Sequence, residues 1–451
     1  MRLIIILFIL SLASLKNECA AQTMNSDEVL LKIEQGVKTG AIAYKLTEPN
    51  EIKALFGAPQ EEKERSDGGL LIIELKYYDL VFIFWKFKDD PAPYTLQYIF
   101  DQRKDISIDI RQNNKVTLRN NDDLNKIDRF SGFANISLVN LDLRDQVELL
   151  STMNFDSNTE WPSAEKLPDG FNPGKLLEEG KNPGLGIRSL HERGIDGRGI
   201  GIAIIDQPLL LGHVEYTSRL ARYDATGLVE MEPQMHGSPV ASIAVGKTLG
   251  VAPKAILTYF ADPSWQEDNT PYITTMKKIF ELNKTLPAEE KIHVVSISAG
   301  MFPQYPKYDE WKTVLKQARD LGILVITCDQ PSLFYYGGLK LIPGKDPDDP
   351  DNYVPGKYLS EKDVLRVPIG NKTIASHSGI DVYTFDREGG RSWAAPYLAG
   401  LAVLAYQVNP EIESQTVIDC LIGTATQTKA GPVVNPRGFI QRVEELRLKK
   451  Q

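Results

Sequence analysis

Three short stretches carry an acid, a base and a nucleophile in settings that could present them together. Gly201-Ile202-Ala203-Ile204-Ile205-Asp206 is an apolar run ending in a carboxylate. In an open α/β sheet functional groups collect at the carboxyl ends of strands, although a lone Asp there reads equally well as a helix cap. His236-Gly237-Ser238-Pro239-Val240-Ala241-Ser242 sets an imidazole beside a glycine at a helix start, and Gly250-Val251-Ala252-Pro253 follows it. Gly390-Arg391-Ser392-Trp393-Ala394-Ala395-Pro396 puts a hydroxyl at a helix N-terminus, where free N–H groups can hold a developing oxyanion. A serine hydroxyl attacks only when a base removes its proton, and that base works best when an acid fixes its tautomer. The three residue types therefore point to nucleophilic hydrolysis.

Taken in order, the segments resemble the signature blocks of the subtilisin-like serine peptidases, the subtilases. The His block is similar to the family's H-G-T-H-V-A-G, with Ser238 and Pro239 departing. The Ser block is similar to G-T-S-M-A-x-P-x-x-A-G, with Arg391, Trp393, Tyr397 and Leu398 departing. Gly250 to Pro253 matches G-V-A-P, and Ser296-Ile297-Ser298-Ala299-Gly300 matches the substrate-lining M-S-x-G segment. The resemblance implies an Asp206–His236–Ser392 triad and an acyl-enzyme cycle on peptide bonds. It also implies that Ser298, Ala299 and Gly300 lend backbone to an extended substrate, as an added strand would. The family usually places an Asn after a run such as Ile323 to Thr327; here Cys328-Asp329-Gln330-Pro331 follows. Gln330 could donate its amide to the oxyanion, and Asp329 could do so only when protonated. A lost donor costs about 3 kcal/mol of transition-state stabilisation. His213 matches a structural histidine of the family, and Ser376-His377-Ser378 reads as a surface turn.

Two rivals fail on the residues. An α/β-hydrolase runs Ser, Asp, His with a G-x-S-x-G elbow, and Gly390-Arg391-Ser392-Trp393-Ala394 lacks the second glycine. No H-E-x-x-H supports a zinc peptidase. The alternative to an active serine endopeptidase is a catalytically weak or inactive subtilase-fold protein that binds or scaffolds, favoured by the altered oxyanion segment and by bulky Trp393. An esterase using the same residues is a third reading.

Elements able to position these residues alternate along the C-terminal part. Strand-like runs cover Gly199 to Ile205, Ala255 to Phe260, His293 to Ser298 and Ile323 to Thr327. Helical patterns start at His236 and cover Thr274 to Leu282 and Trp311 to Leu321. Short, continuous, β-branched strands between helices predict an α/β fold with a doubly wound, mostly parallel sheet over residues 185–446. Residues 22–145 read as an additional N-terminal α+β domain, either a prodomain or a binding module. Its Leu55-Phe56-Gly57-Ala58-Pro59 ending resembles small envelope modules of the outer-membrane assembly lipoprotein type, with an unrelated α+β unit as the alternative. Residues 146–184, rich in Pro, Gly, Asn and Asp, read as a linker.

The extreme N-terminus reads as a signal peptide, residues 1–21. Arg2 precedes the apolar run Leu3 to Leu15, too short for a comfortable bilayer span, and Cys19-Ala20-Ala21 offers a cleavage site. Lipidation at Cys19 is the rival. The chain is thus expected to be secreted or in the cell envelope, without a membrane span. A net charge of −9 over 451 residues, with no basic block, argues against nucleic acid and leaves protein or peptide substrates as the expected partners. No cofactor is expected. Asp346 to Asp351 reads as a solvated loop, where nothing supports calcium, and Gly246 to Leu249 is too short for the family's calcium-binding insertion. Cys328 and Cys420 read as buried small hydrophobes rather than a bridge. Oligomeric state has no signal.

Overall fold

The computed structural model describes residues 25–449, apart from 68, 109–114, 129–130, 226–230, 264–266, 329–333 and 358. The segment read as a signal peptide, with Cys19, lies outside the described residues. The chain divides after Asp128 into two compact units.

In the first unit two helices, Ser26–Thr39 and Pro49–Phe56, precede a five-stranded antiparallel sheet. Asn25 starts the first helix by accepting from the Asp27 and Glu28 amides, while the Glu28 carboxylate accepts from the Asn25 amide. Such a reciprocal cap satisfies donors a helix start leaves open. The strands Glu61–Asp67, Leu70–Tyr77, Leu80–Phe87, Thr95–Asp101 and Ile106–Ile108 lie side by side in chain order. Alternate residues Ile73, Leu75, Phe82 and Phe84 meet Val29, Ile33, Ile52 and Phe56 in one core, as the period of two in a strand requires.

A five-stranded parallel sheet forms the centre of the second unit. Its spatial order is Leu220–Asp224, Ile256–Ala261, Gly201–Asp206, Ile292–Ile297, Leu324–Thr327. Along the middle strand Ile202 and Ile204 enter a core with Val240, Ile243, Leu398 and Leu401, from the helices Gly237–Val245 and Arg391–Val408. Ala203 and Ile205 enter a second core with Ile273, Met276, Trp311 and Val314, from Thr270–Thr285 and Tyr308–Asp320. Register decides what meets at the carboxyl edge. Asp206 lies opposite Ala261, Ile205 opposite Ile297, and Ile297 opposite Thr327. Asp206, Asp262, Ser298 and Cys328 consequently gather along one edge.

The stretch expected as a linker is built into the second unit instead. It carries the helices Val147–Thr152 and Pro173–Glu179 and the short strand Phe155–Asp156, which pairs antiparallel with Tyr383–Asp386. Phe155 stacks on Phe385 at 5.3 Å and 20°. Arg387, 3% exposed, donates through Nη2 to Leu150 O at 2.7 Å, and its amide donates to Asn154 Oδ1 at 2.8 Å. Earlier in the chain the Phe133 amide donates to Asn154 O. Partners more than 200 residues away leave no local periodicity, so only the Pro and Gly punctuation was visible. Truncating the buried Phe155 to Ala is expected to cost about 3–5 kcal/mol in denaturant unfolding of this unit; a loss below about 1 kcal/mol would mean the segment lies outside its core.

Candidate active site

Asp206 ends the middle strand and is 1% exposed. Its Oδ1 accepts from the Gln207 amide at 2.8 Å and from His236 Nδ1 at 2.7 Å. A carboxylate taken out of water needs such partners. The turn that follows is fixed from below, because Tyr259 OH donates to Gln207 O and Tyr216 OH to Leu210 O.

His236 caps the helix Gly237–Val245 and keeps 17% of its side chain exposed. Gly237 makes the approach to Asp206 feasible. A Cβ there would lie 2.6 Å from both Gln207 O and Tyr259 OH, closer than van der Waals contact allows. Burial disfavours a charged ring, but the Asp206 carboxylate, by charge and by hydrogen bond, outweighs it and holds the imidazole above its ordinary pKa of 6.5.

Ser392 opens the long helix Arg391–Val408, and the close packing of this helix relies on small residues. At Gly400 a Cβ would press into Val251, and Ala394, Ala395 and Ala399 are fully buried. The Ser392 hydroxyl donates to Ser298 O at 3.3 Å, and Ser298 Oγ returns a bond to Ser392 O at 2.8 Å. The Ser392 helix is thereby tied to the Ser298-Ala299-Gly300 segment. Trp393, the residue after Ser392, brings its ring 5.1 Å from that of His236, with 34° between the planes.

Asp329 and Gln330 lie outside the described residues. Just before them, the Cys328 amide donates to Ala299 O at 3.0 Å. Burial pushes the Cys328 thiol up to about 12. Cys328 and Cys420 carry free thiols. His213 is fully buried, with Nε2 3.0 Å from Val382 O and its ring stacked on Tyr216.

Two neighbours escaped the sequence. Trp393 announced itself only by bulk beside Ser392. Its Nε1 donates to Asp386 Oδ2 at 2.7 Å, and Asp386 Oδ1 accepts from the Gly389 amide at 2.9 Å and the Glu388 amide at 3.2 Å. Asp386 gave no signal at all, since an Asp near Gly389 and Gly390 reads as an ordinary turn residue.

Behind Asp206 the buried carboxyl of Asp262 is raised to about 6, chiefly by desolvation, against a single side-chain bond from Thr275 Oγ1 at 2.8 Å. Its amide donates to Asp206 O. A folded-state value above the unfolded one means that the native state binds this proton more tightly. Stability from this group is therefore full below about pH 4 and is lost as pH rises through about 6. Asp262→Asn keeps an acceptor for Thr275 and is expected to be more stable than the parent at pH 7.5 by roughly 1–3 kcal/mol, with the gap closing toward pH 4. Thermal unfolding at the two pH values checks it; a variant less stable at pH 7.5 contradicts it.

No family model matches the chain. It is 23% identical over 291 residues to the subtilisin-like protease PopC of Myxococcus xanthus, a match covering 54% of this chain and 58% of that protein. The chain thus spans less than two thirds of the length of that relative. Among solved structures, a chain from the subtilase cytotoxin SubAB assembly aligns with 59% of this chain and 97% of its own, at 13% identity and a TM-score of 0.47. The prenylagaramide maturation protease PagA aligns with 57% and 98%, at 16% identity and a TM-score of 0.43. In sequence, the chain is distantly similar to a subtilisin-like protease.

Proposed function

We propose that the chain is an exported serine endopeptidase that hydrolyses protein or peptide substrates through an Asp206–His236–Ser392 triad and an acyl-enzyme. The observation that carries this reading is the 2.7 Å contact between Asp206 Oδ1 and His236 Nδ1, with Trp393, the residue after Ser392, beside the same imidazole. Distant similarity to a protease adds support.

In the proposed cycle the Ser392 hydroxyl leaves Ser298 O and turns to His236 Nε2. The imidazole takes its proton as Oγ attacks the scissile carbonyl carbon, and Asp206 holds the imidazolium. His236 then gives the proton to the leaving amine, and the ester on Ser392 is hydrolysed by water with His236 again acting as base. The oxyanion would be held by the N-terminal amides of the Ser392 helix and by Gln330, or by Asp329 in its protonated form. Substrate backbone would pair with Ser298 to Gly300. The N-terminal unit would serve as a prodomain or as a partner-binding module. No cofactor takes part in this scheme.

The bond from Ser392 to Ser298 O favours a second reading, a weak or inactive binding protein, because it occupies the hydroxyl. Fluorophosphonate labelling separates the two. Labelling is expected, abolished in Ser392→Ala and reduced about 10³–10⁴-fold in Asp206→Asn. Because only the neutral imidazole is a base and its pKa is raised, the labelling rate should climb with pH around a midpoint above 6.5. A folded protein with intact Ser392 that never labels would leave the binding role.

A further inference from the structure

The imidazole of His236 is gripped from two directions. Asp206 holds one edge through Nδ1, and the indole of Trp393 packs beside the ring, tilted by 34° with the centroids 5.1 Å apart. That indole is not free to drift. Its N–H is spent on Asp386, a residue 8% exposed, and the same carboxylate binds the Glu388 and Gly389 amides of the loop leading to Ser392. Only a glycine fits at 389, where φ is +67° and a Cβ would run into Ile369 O. One buried acid therefore fixes both the turn before the nucleophile and the ring that faces the base.

From this arrangement we infer that Trp393, anchored by Asp386, is a positioning residue for His236 that favours its imidazolium. The inference rests on the reading of His236 as the base of a serine hydrolase. Acyl transfer turns this ring from neutral to cationic and back. The face of an indole attracts a cation more strongly than any other aromatic ring does, and more still where water is excluded. An interaction that strengthens as the charge appears lowers the barrier, whereas one equally strong in both states does not. The bulk that looks obstructive beside Ser392 thus supplies a preorganised surface for the charged base.

Among the described residues Asp206, at the end of its strand, is the charge that acts on the ring. The helix Gly237–Val245 carries no titratable side chain. Arg391, in the first turn of the Ser392 helix, acts on the Cys328 thiol, and the Ser298 segment contributes a hydroxyl. Asp386 reaches the imidazole through the indole.

The test uses full-length protein with isotope-labelled histidine rings, the His236 signal being assigned by its loss in His236→Ala. Trp393→Leu is expected to lower the His236 midpoint by about half a unit or more. Trp393→Phe, which keeps a face without the N–H, should restore part of that shift, and Asp386→Asn should fall between. A midpoint unmoved by Trp393→Leu overturns the inference. Should the variants fail to fold, the parent protein still decides. Its indole emission, compared with His236→Ala, should change as pH crosses the His236 midpoint, and a pH-independent difference overturns the stacking. The ring titration is read whether or not the fluorophosphonate reacts. Silence of the probe counts against the hydrolase reading alone, and an unmoved midpoint counts against the positioning role alone.

Discussion

A carboxylate at the end of a central strand, 1% exposed, is costly unless its lone pairs are filled, and the compensation of Asp206 organises the structure around it. Its Oδ1 draws in the amide of the next residue and the imidazole of His236. The imidazole can arrive only because Gly237 lets its helix come down onto Gln207 O. That helix in turn leaves room for the Ser392 helix, which closes on it across Gly400 and Val251.

Next to this lies a second set of buried charges. Lys372 sits opposite Asp386 in the neighbouring strand, and burial lowers its ammonium to about 8 against the pull of that carboxylate. Burial raises Asp386, and the Gly389, Trp393 and Glu388 donors offset it. Arg387 turns the other way, to Leu150 O, with its guanidinium over the Phe155 and Phe385 rings. The turn that delivers Ser392 is therefore held by hydrogen bonds and aromatic contacts to a segment far upstream in sequence. Groups of this kind do little for net stability but fix a geometry, because breaking one leaves another uncompensated.

Positions at which the chain departs from the sequence blocks it resembles have physical partners of their own. Ser238 Oγ lies 2.9 Å from the oxygen of Tyr216, whose own proton goes to Leu210 O in the loop after Asp206. Pro239 falls in the first turn of its helix, where an amide would have no intrahelical partner to lose. Glu215, 1% exposed, accepts from the Thr248 amide and hydroxyl and from Tyr383 OH, so a buried carboxylate fastens the short link after the His236 helix. No helix among the described residues is long and apolar enough to cross a membrane.

What could be read from the chain by itself was whatever depends on neighbours in sequence. The continuous apolar run into Asp206, the glycine after His236 and the small residues after Ser392 express local periodicity and steric need, and the strands and helices they imply are those the structure contains. The order of the blocks groups Asp206, His236 and Ser392 as one candidate site. The rest was decided by tertiary structure. Phe155 and Arg387 find their partners across more than 200 residues, so residues 146–184 looked like a linker although they complete a sheet. The Ser392 hydroxyl faces Ser298 O because two segments 94 residues apart are pressed together. Trp393 reads as bulk until the fold lays it on His236, and Asp386 reads as a turn residue until burial makes each of its bonds matter. Sequence records which groups are present and how the nearby backbone will bend; which of them end up in contact, and in how dry a place, is set by packing between distant segments.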